Sequence, residues 1–406
     1  MKKDTLIVEG LAGKKTLNGE IRISGAKNDV LKVMAASVLF AGPIKVTNVP
    51  QTEDVKKMQE LLIGIGAQVE QSGHELSIDT SNITSTELDA DLAKSMRASV
   101  VLTGPLLARF GEVTFPIPGG CVIGSRPIDL FVSAYEKMGA HVKLESDSSG
   151  DRYIITAPKG GRLNGAEIFF NIQTVGGTET LMLAAIGAKG VTVLKNCALE
   201  PEIASLAEYL NSCGAKIAGA GTSTMTITGV DLTDGKGIKA HTPYATIPDR
   251  IEAGSFLILG ALLAKKLTIT HCNPAHLEAT IELLRGSGVH IVTTANTIEV
   301  TNDDKTRVNL KPFNVRTHEY PGFPTDLQAP MTVFLTQTAG EGLVFETIYE
   351  GRFKFVANLE KLGASVTVMN SREILVHGIA SAKRESVSGW SGFKAPEAAW
   401  PADRWW

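Results

Sequence analysis

Cysteine is scarce. The 406 residues contain 4, Cys121, Cys197, Cys213 and Cys272, with no C-x-x-C spacing among them. That pattern excludes a disulfide framework and a redox dithiol, and it points to a reducing cytoplasm. Charge of one sign is not in excess either: 40 Lys and Arg stand against 43 Asp and Glu, a formal net charge of -3. Nothing in this balance draws the chain to nucleic acid or to an anionic membrane, and no basic patch carries interleaved aromatics. Long apolar runs are missing. Stretches such as Phe256 to Ala264 are too short to span a bilayer. The start, Met1-Lys2-Lys3-Asp4, leads into a strand-like run without a signal-peptide core. A metal is not implied, because His271 and His276 are five apart across a proline and make a poor ligand pair.

What is present is repetition. The length suits two ordinary domains, and 43% hydrophobic with 20% charged residues describes a globular protein. Helix-like segments ending in Gly-Ala or Gly-Val and followed by a short strand occur at Leu61–Val69, Ala134–Val142, Leu210–Ile217, Leu283–Ile291 and Leu359–Val366. Their glycines, Gly66, Gly139, Gly214, Gly288 and Gly363, recur every 73 to 75 residues. Before each lies an apolar small-residue helix feeding a β-branched strand: Val33–Val46, Val100–Val113, Leu181–Val193, Phe256–Ile269 and Met331–Phe345. The class is therefore α/β or α+β, built from one repeated module in which strand and helix alternate twice. Glycine at the end of each helix predicts a left-handed residue there.

The turn Pro118-Gly119-Gly120-Cys121-Val122-Ile123-Gly124-Ser125-Arg126-Pro127 places a thiol and a guanidinium in one glycine-rich loop. An adjacent Arg raises the thiolate fraction, and glycines let backbone approach a ligand. A plain turn holding a small buried Cys is the alternative. The wider setting is informative. Ser24-Gly25-Ala26-Lys27-Asn28, Met96-Arg97-Ala98-Ser99, Gly104-Pro105-Leu106, Pro118-Gly119-Gly120-Cys121, Arg126-Pro127-Ile128-Asp129-Leu130, Thr174-Val175-Gly176-Gly177-Thr178-Glu179, Pro248-Asp249-Arg250-Ile251-Glu252-Ala253-Gly254 and Phe323-Pro324-Thr325-Asp326-Leu327-Gln328 occur in this order. The set resembles the UDP-N-acetylglucosamine 1-carboxyvinyltransferases, enolpyruvyl transferases of peptidoglycan synthesis, over about residues 5–378.

The resemblance implies a two-domain inside-out α/β barrel of βαβαββ modules, with three modules per domain and a substrate cleft between domains. Residues 27–240 correspond to the domain of the cysteine loop, and 1–26 with 241–380 to the second domain. Residues 381–406 make an atypical tail holding all four tryptophans, Trp390, Trp400, Trp405 and Trp406. A sixth module is expected and not recognisable, nor is the family's Asp-Leu-Arg segment. A shifted reading frame, a divergent end or a truncation each accounts for this.

The implied activity moves enolpyruvyl from phosphoenolpyruvate to the 3-hydroxyl of UDP-N-acetylglucosamine, releasing phosphate, with no cofactor. Cys121 is the implied general acid and carrier of a transient adduct. Asp326 is the implied base for the sugar hydroxyl, and helix capping by Thr325 or Asp326 is the alternative. Lys27, Asn28, Arg126 and Arg352 correspond to phosphoenolpyruvate contacts. Lys27 sits at a helix start, where N–H groups favour an anion, and an Arg fork suits phosphate. Arg97, Arg126, Pro127, Ile128, Asp129, Leu130, Thr174, Val175, Gly176, Asp326 and Ile348 correspond to nucleotide-sugar contacts. A surface salt bridge is the alternative for each Arg, and a buried strand position for Ile348. Asn171-Ile172-Gln173 lacks the Lys some members place there, and Gln51 stands where some have Lys. Two other readings compete: a catalytically impaired or non-catalytic nucleotide-sugar-binding paralogue or truncated copy, which the atypical tail supports, and a shikimate-pathway enolpyruvyl transferase, against which the Pro118–Cys121 and Arg126–Leu130 segments speak.

Overall fold

The computed structural model describes residues 17–117, 129–147, 150–232, 237–302 and 309–379. Cys121, Arg126, Pro127 and Ile128, together with the tail from 380, lie outside the described residues. The chain divides into two compact units. One comprises Met1–Arg22, Ile251–His318 and Gly322–Trp406, and the other Ile23–Arg250 and Glu319–Pro321.

The repeat in the sequence becomes a repeat of sheets. Among the described residues there are five, three in the Ile23–Arg250 unit and two in the other. In four of them a first strand runs parallel to a second, the second pairs antiparallel with the fourth, and the fourth pairs antiparallel with the third. Glu167–Phe169, Val191–Lys195, Ile217–Ala218 and Thr224–Thr228 form one such sheet. Val315–Arg316, Glu341–Phe345, Ser365–Asn370 and Glu373–His377 form another. The fifth keeps only the antiparallel part, Glu112–Pro116, His141–Asp147 and Gly150–Thr156, with a single parallel bridge from Glu87 to Thr114. This is the βαβαββ module expected from the sequence.

Two modules exchange their first strands. Leu17–Arg22 precedes the helix Lys27–Ala36 in the chain, yet it pairs in parallel with Ala264–Thr270. Tyr244–Ala245 precedes the helix Arg250–Leu263, yet it pairs in parallel with Ile44–Thr47. Each strand thus completes a sheet whose helices come from a distant stretch of chain.

Local sequence explains the helices. Gly66, Gly139, Gly214, Gly288 and Gly363 have φ of 105, 86, 105, 105 and 90°. They end or follow the helices Glu53–Gly64, Asp129–Lys137, Pro201–Ser212, Glu278–Ser287 and Val356–Lys361. Left-handed backbone there costs glycine little and reverses the chain into the next strand. The small-residue helices Thr103–Phe110 and Val175–Ile186 are buried over Thr103–Ala108 and Gly177–Ile186. They approach so closely that a Cβ on Gly104 would overlap the Thr180 carbonyl oxygen, and one on Gly187 would overlap that of Ala108. A helix apolar on all sides belongs in a core.

Candidate functional site

In the Ile23–Arg250 unit, Lys27 is the first residue of the helix Lys27–Ala36, and no side chain caps its first turn. The partial positive charge of that end therefore remains available to an anion. The Lys27 ammonium meets Asp54 at 2.9 Å, and Asn28 is exposed beside it. The next residue, Asp29, is fully buried. It accepts from the Tyr244 hydroxyl at 2.6 Å and the Ile247 N–H at 2.9 Å. The Ala26 N–H donates to the Ile247 carbonyl at 2.7 Å, so the strand-to-helix turn that aims Lys27 is laced to residues 244–247. Burial pushes the Asp29 carboxyl up to about 7, against the hydrogen bonds of Tyr244 and Ile247. One helical turn on, Lys32 meets Glu179 at 2.6 Å. Burial holds that carboxyl at about 7 despite the attraction of Lys32.

The 3₁₀ turn Arg97–Leu102 packs against both the Lys27 helix and the helix Val175–Ile186. Thr174 caps the latter, accepting from the Gly177 N–H at 3.2 Å, which gives this motif a structural reason of its own. A Cβ on Gly177 would overlap Thr174, whereas one on Gly176 would meet nothing nearer than Phe131 at 4.0 Å. Gly177 is required by packing and Gly176 is not. Leu130 and Phe131, at the start of the helix Asp129–Lys137, lie against these two glycines. Leu130, 44 residues before Thr174, therefore lies beside the helix start that Thr174 caps.

In the other unit, Asp326 lies in the 3₁₀ turn Thr325–Leu327 that precedes the helix Gln328–Leu335. Neither Thr325 nor Asp326 caps it, since Pro324 and Leu327 hold the cap positions without side-chain bonds. Capping is thus excluded as the reason for Asp326. Arg352 reaches it instead: one guanidinium nitrogen donates to Asp326 Oδ1 at 2.8 Å, the other to Thr325 Oγ1 at 2.8 Å. Ile348 follows the strand Glu341–Phe345 and is half-buried, its N–H donating to Glu346 Oε1 at 2.9 Å. Asp326 and Arg352 are brought into contact, and Ile348 is tied to the same turn through Glu346, which also accepts from Thr325.

Glu346 and Asp29 were not singled out by the motifs, and Thr325 was named only as a candidate cap. For Glu346 a signal existed. Gly342 and Val344 point inward along the strand, and two residues further the same alternation puts a carboxylate in the interior. The three described cysteines, Cys197, Cys213 and Cys272, are buried. Burial raises the Cys197 thiol to about 11 and lifts that of Cys272 as well, so neither supplies a thiolate near neutrality. Among the described residues, no group of three or more His, Cys, Asp or Glu side chains is placed to hold a metal ion. No described helix is long and apolar enough to cross a membrane.

Residues 11–389 match the EPSP synthase (3-phosphoshikimate 1-carboxyvinyltransferase) family. The chain is 40% identical to a UDP-N-acetylglucosamine 1-carboxyvinyltransferase of Psychrobacter sp., over 91% of this chain and 82% of that protein. It is 42% identical to UDP-N-acetylglucosamine 1-carboxyvinyltransferase 2 of Prochlorococcus marinus, over 92% and 84%. In fold it is similar to the enolpyruvyl transferase NikO from Streptomyces tendae, with TM-score 0.77 and 24% identity over 89% of this chain and 82% of that one. An EPSP synthase from Acinetobacter baumannii gives TM-score 0.64 and 17% identity over 90% and 82%.

Proposed function

This chain belongs to the UDP-N-acetylglucosamine 1-carboxyvinyltransferase family of enolpyruvyl transferases, and from that premise we propose that it transfers enolpyruvyl from phosphoenolpyruvate to the 3-hydroxyl of UDP-N-acetylglucosamine in the cytoplasm. The observation that carries the reading is the Asp326–Arg352 pair. A carboxylate held by a guanidinium, and not used as a cap, suits a base that must exchange its partner for a hydroxyl.

The chemistry then divides between residues. Cys121 gives its proton to the methylene carbon of phosphoenolpyruvate, leaving a cation at the carbon that bears the phosphate. The sugar oxygen bonds to that carbon as Asp326 takes the hydroxyl proton. The tetrahedral adduct then loses a proton from the new methyl group, the carbon–oxygen bond to phosphate breaks, and the enol ether is restored. Lys27, the open start of its helix, Arg126 and Arg352 bind the two charged ends of phosphoenolpyruvate. Arg97, the 126–130 segment, Thr174, Val175, Gly176 and Ile348 hold the nucleotide sugar, a reading supported by Leu130 lying against Gly177, the residue after this motif.

The test is phosphate release by the full chain. It should require both substrates together and yield a product heavier than UDP-N-acetylglucosamine by one enolpyruvyl group. Asp326→Asn should lower kcat about 10²- to 10⁴-fold with little change in UDP-N-acetylglucosamine binding. Absence of product with both substrates bound would overturn the function. A full rate in Asp326→Asn would overturn only the assignment of the base.

A further inference from the structure

Glu346 is fully buried at the end of the strand Glu341–Phe345. One of its oxygens, Oε1, accepts from two successive backbone N–H groups, Ile348 at 2.9 Å and Tyr349 at 3.0 Å. The other, Oε2, accepts from the Thr325 hydroxyl at 2.8 Å. The same hydroxyl oxygen accepts from Arg352, whose second nitrogen donates to Asp326. The Arg352 guanidinium also lies 5.6 Å from the Tyr349 ring centre. A single carboxylate thus ties together the turn carrying Asp326, the segment carrying Ile348 and, through Thr325, the orientation of Arg352.

Resting on the function proposed above, we infer that Glu346 is a positioning residue of the reaction. It keeps Thr325 donating inward, so that the Thr325 oxygen presents a lone pair to Arg352. Arg352 then has two anchors. When Asp326 leaves it to accept the proton of the sugar hydroxyl, Thr325 still holds the guanidinium in place, and the base moves without carrying Arg352 along. The two backbone bonds keep Ile348 in register with that turn.

Substitutions separate these roles by chemistry. In Glu346→Gln the amide oxygen can still accept from Ile348 and Tyr349, but the amide NH₂ faces Thr325 as a donor. The Thr325 proton then lacks an acceptor, and its oxygen is shared between two donors. Glu346→Gln should therefore reduce kcat about ten- to hundredfold, the effect of one charge-assisted hydrogen bond, with KM for UDP-N-acetylglucosamine within about threefold. Thr325→Val should give the same split, and Thr325→Ser should restore the rate. In a Thr325→Val background, Glu346→Gln should add little, because its action passes through Thr325.

A wild-type rate in Glu346→Gln would overturn the inference, as would full additivity with Thr325→Val or equal losses in KM and kcat. Whether or not the chain turns over, amide hydrogen exchange at Ile348 and Tyr349 tests the anchoring directly. Protection should fall in Glu346→Ala and persist in Glu346→Gln, and unchanged protection in Glu346→Ala would overturn it. Failure of the functional reading shows up separately, as absent phosphate release by the unsubstituted chain.

Discussion

Cys121 is the one cysteine of the sequence that shares a glycine-rich ten-residue stretch, Pro118–Pro127, with an arginine. The described cysteines have structural places instead: Cys197 donates to the Leu194 carbonyl at 3.4 Å and Cys272 to that of Ile269 at 3.6 Å. A sulfur held in a core and kept protonated by burial does not react near neutrality. Cys121→Ser should accordingly lose most turnover while titration calorimetry shows UDP-N-acetylglucosamine binding unchanged. Iodoacetamide at neutral pH should label the native chain at Cys121 first, read by peptide mass spectrometry. Earlier labelling of Cys197 or Cys272, or a Cys121→Ser form that keeps its rate, would remove the thiol from the mechanism.

Two glycines in packed helices make different demands on their elements. Gly104 lets the helix Thr103–Phe110 lie against Val175–Ile186, where a methyl group would collide with the Thr180 carbonyl. Gly104→Ala should cost about 1–3 kcal/mol, the range for forced overpacking, and lower Tm correspondingly. Gly176 has open space around its Cα and sits in the first turn of its helix. Gly176→Ala should leave Tm unchanged or raise it, by up to about 1 kcal/mol of helix propensity. If substrate backbone contact is the reason for glycine there, UDP-N-acetylglucosamine binding should weaken in the same variant. Unchanged affinity would sink that assignment, because packing offers no competing explanation.

At the scale of the molecule, the unit containing Lys27 carries buried acid in excess of buried base. Asp29 interacts with Glu179 and Glu202, Glu179 also with Glu200, and the facing cations are Lys32 and Arg250. Burial raises Asp29 and Glu179 to about 7, and Glu200 above its ordinary value. Unfolded, such carboxyls titrate near 4. Between about pH 4 and 7 the folded state therefore binds more protons than the unfolded one, and stability falls as pH rises through that window. Melting curves from pH 4.5 to 8 should show Tm declining toward neutrality, by an amount equivalent to a few kcal/mol. Glu179→Gln, which cannot take up the proton, should give a shallower slope. Parallel curves for the two proteins would place the proton uptake elsewhere.

The amino-acid sequence by itself determined the module, its period and its class. Those features rest on local chemistry: glycine is the residue that takes φ near +100° at a helix end without strain, and it does so at all five markers. The start of the Lys27 helix was legible for the same reason, since it depends on a few neighbouring residues, whereas the Thr174 cap, equally local, was not read from the sequence. The family was legible because its motifs are short and ordered. Tertiary structure alone decided which strand completes which sheet, as the partners Leu17–Arg22 and Ala264–Thr270 show. It also decided that Asp29 holds Tyr244 across 215 residues and that Asp326 pairs with Arg352. Glu346 was readable only in part: alternation predicts that it faces inward, but not that Thr325 and two backbone N–H groups meet it there. Nearest-neighbour sterics set local conformation, whereas a partner for a buried carboxylate exists only once distant segments have been folded against each other.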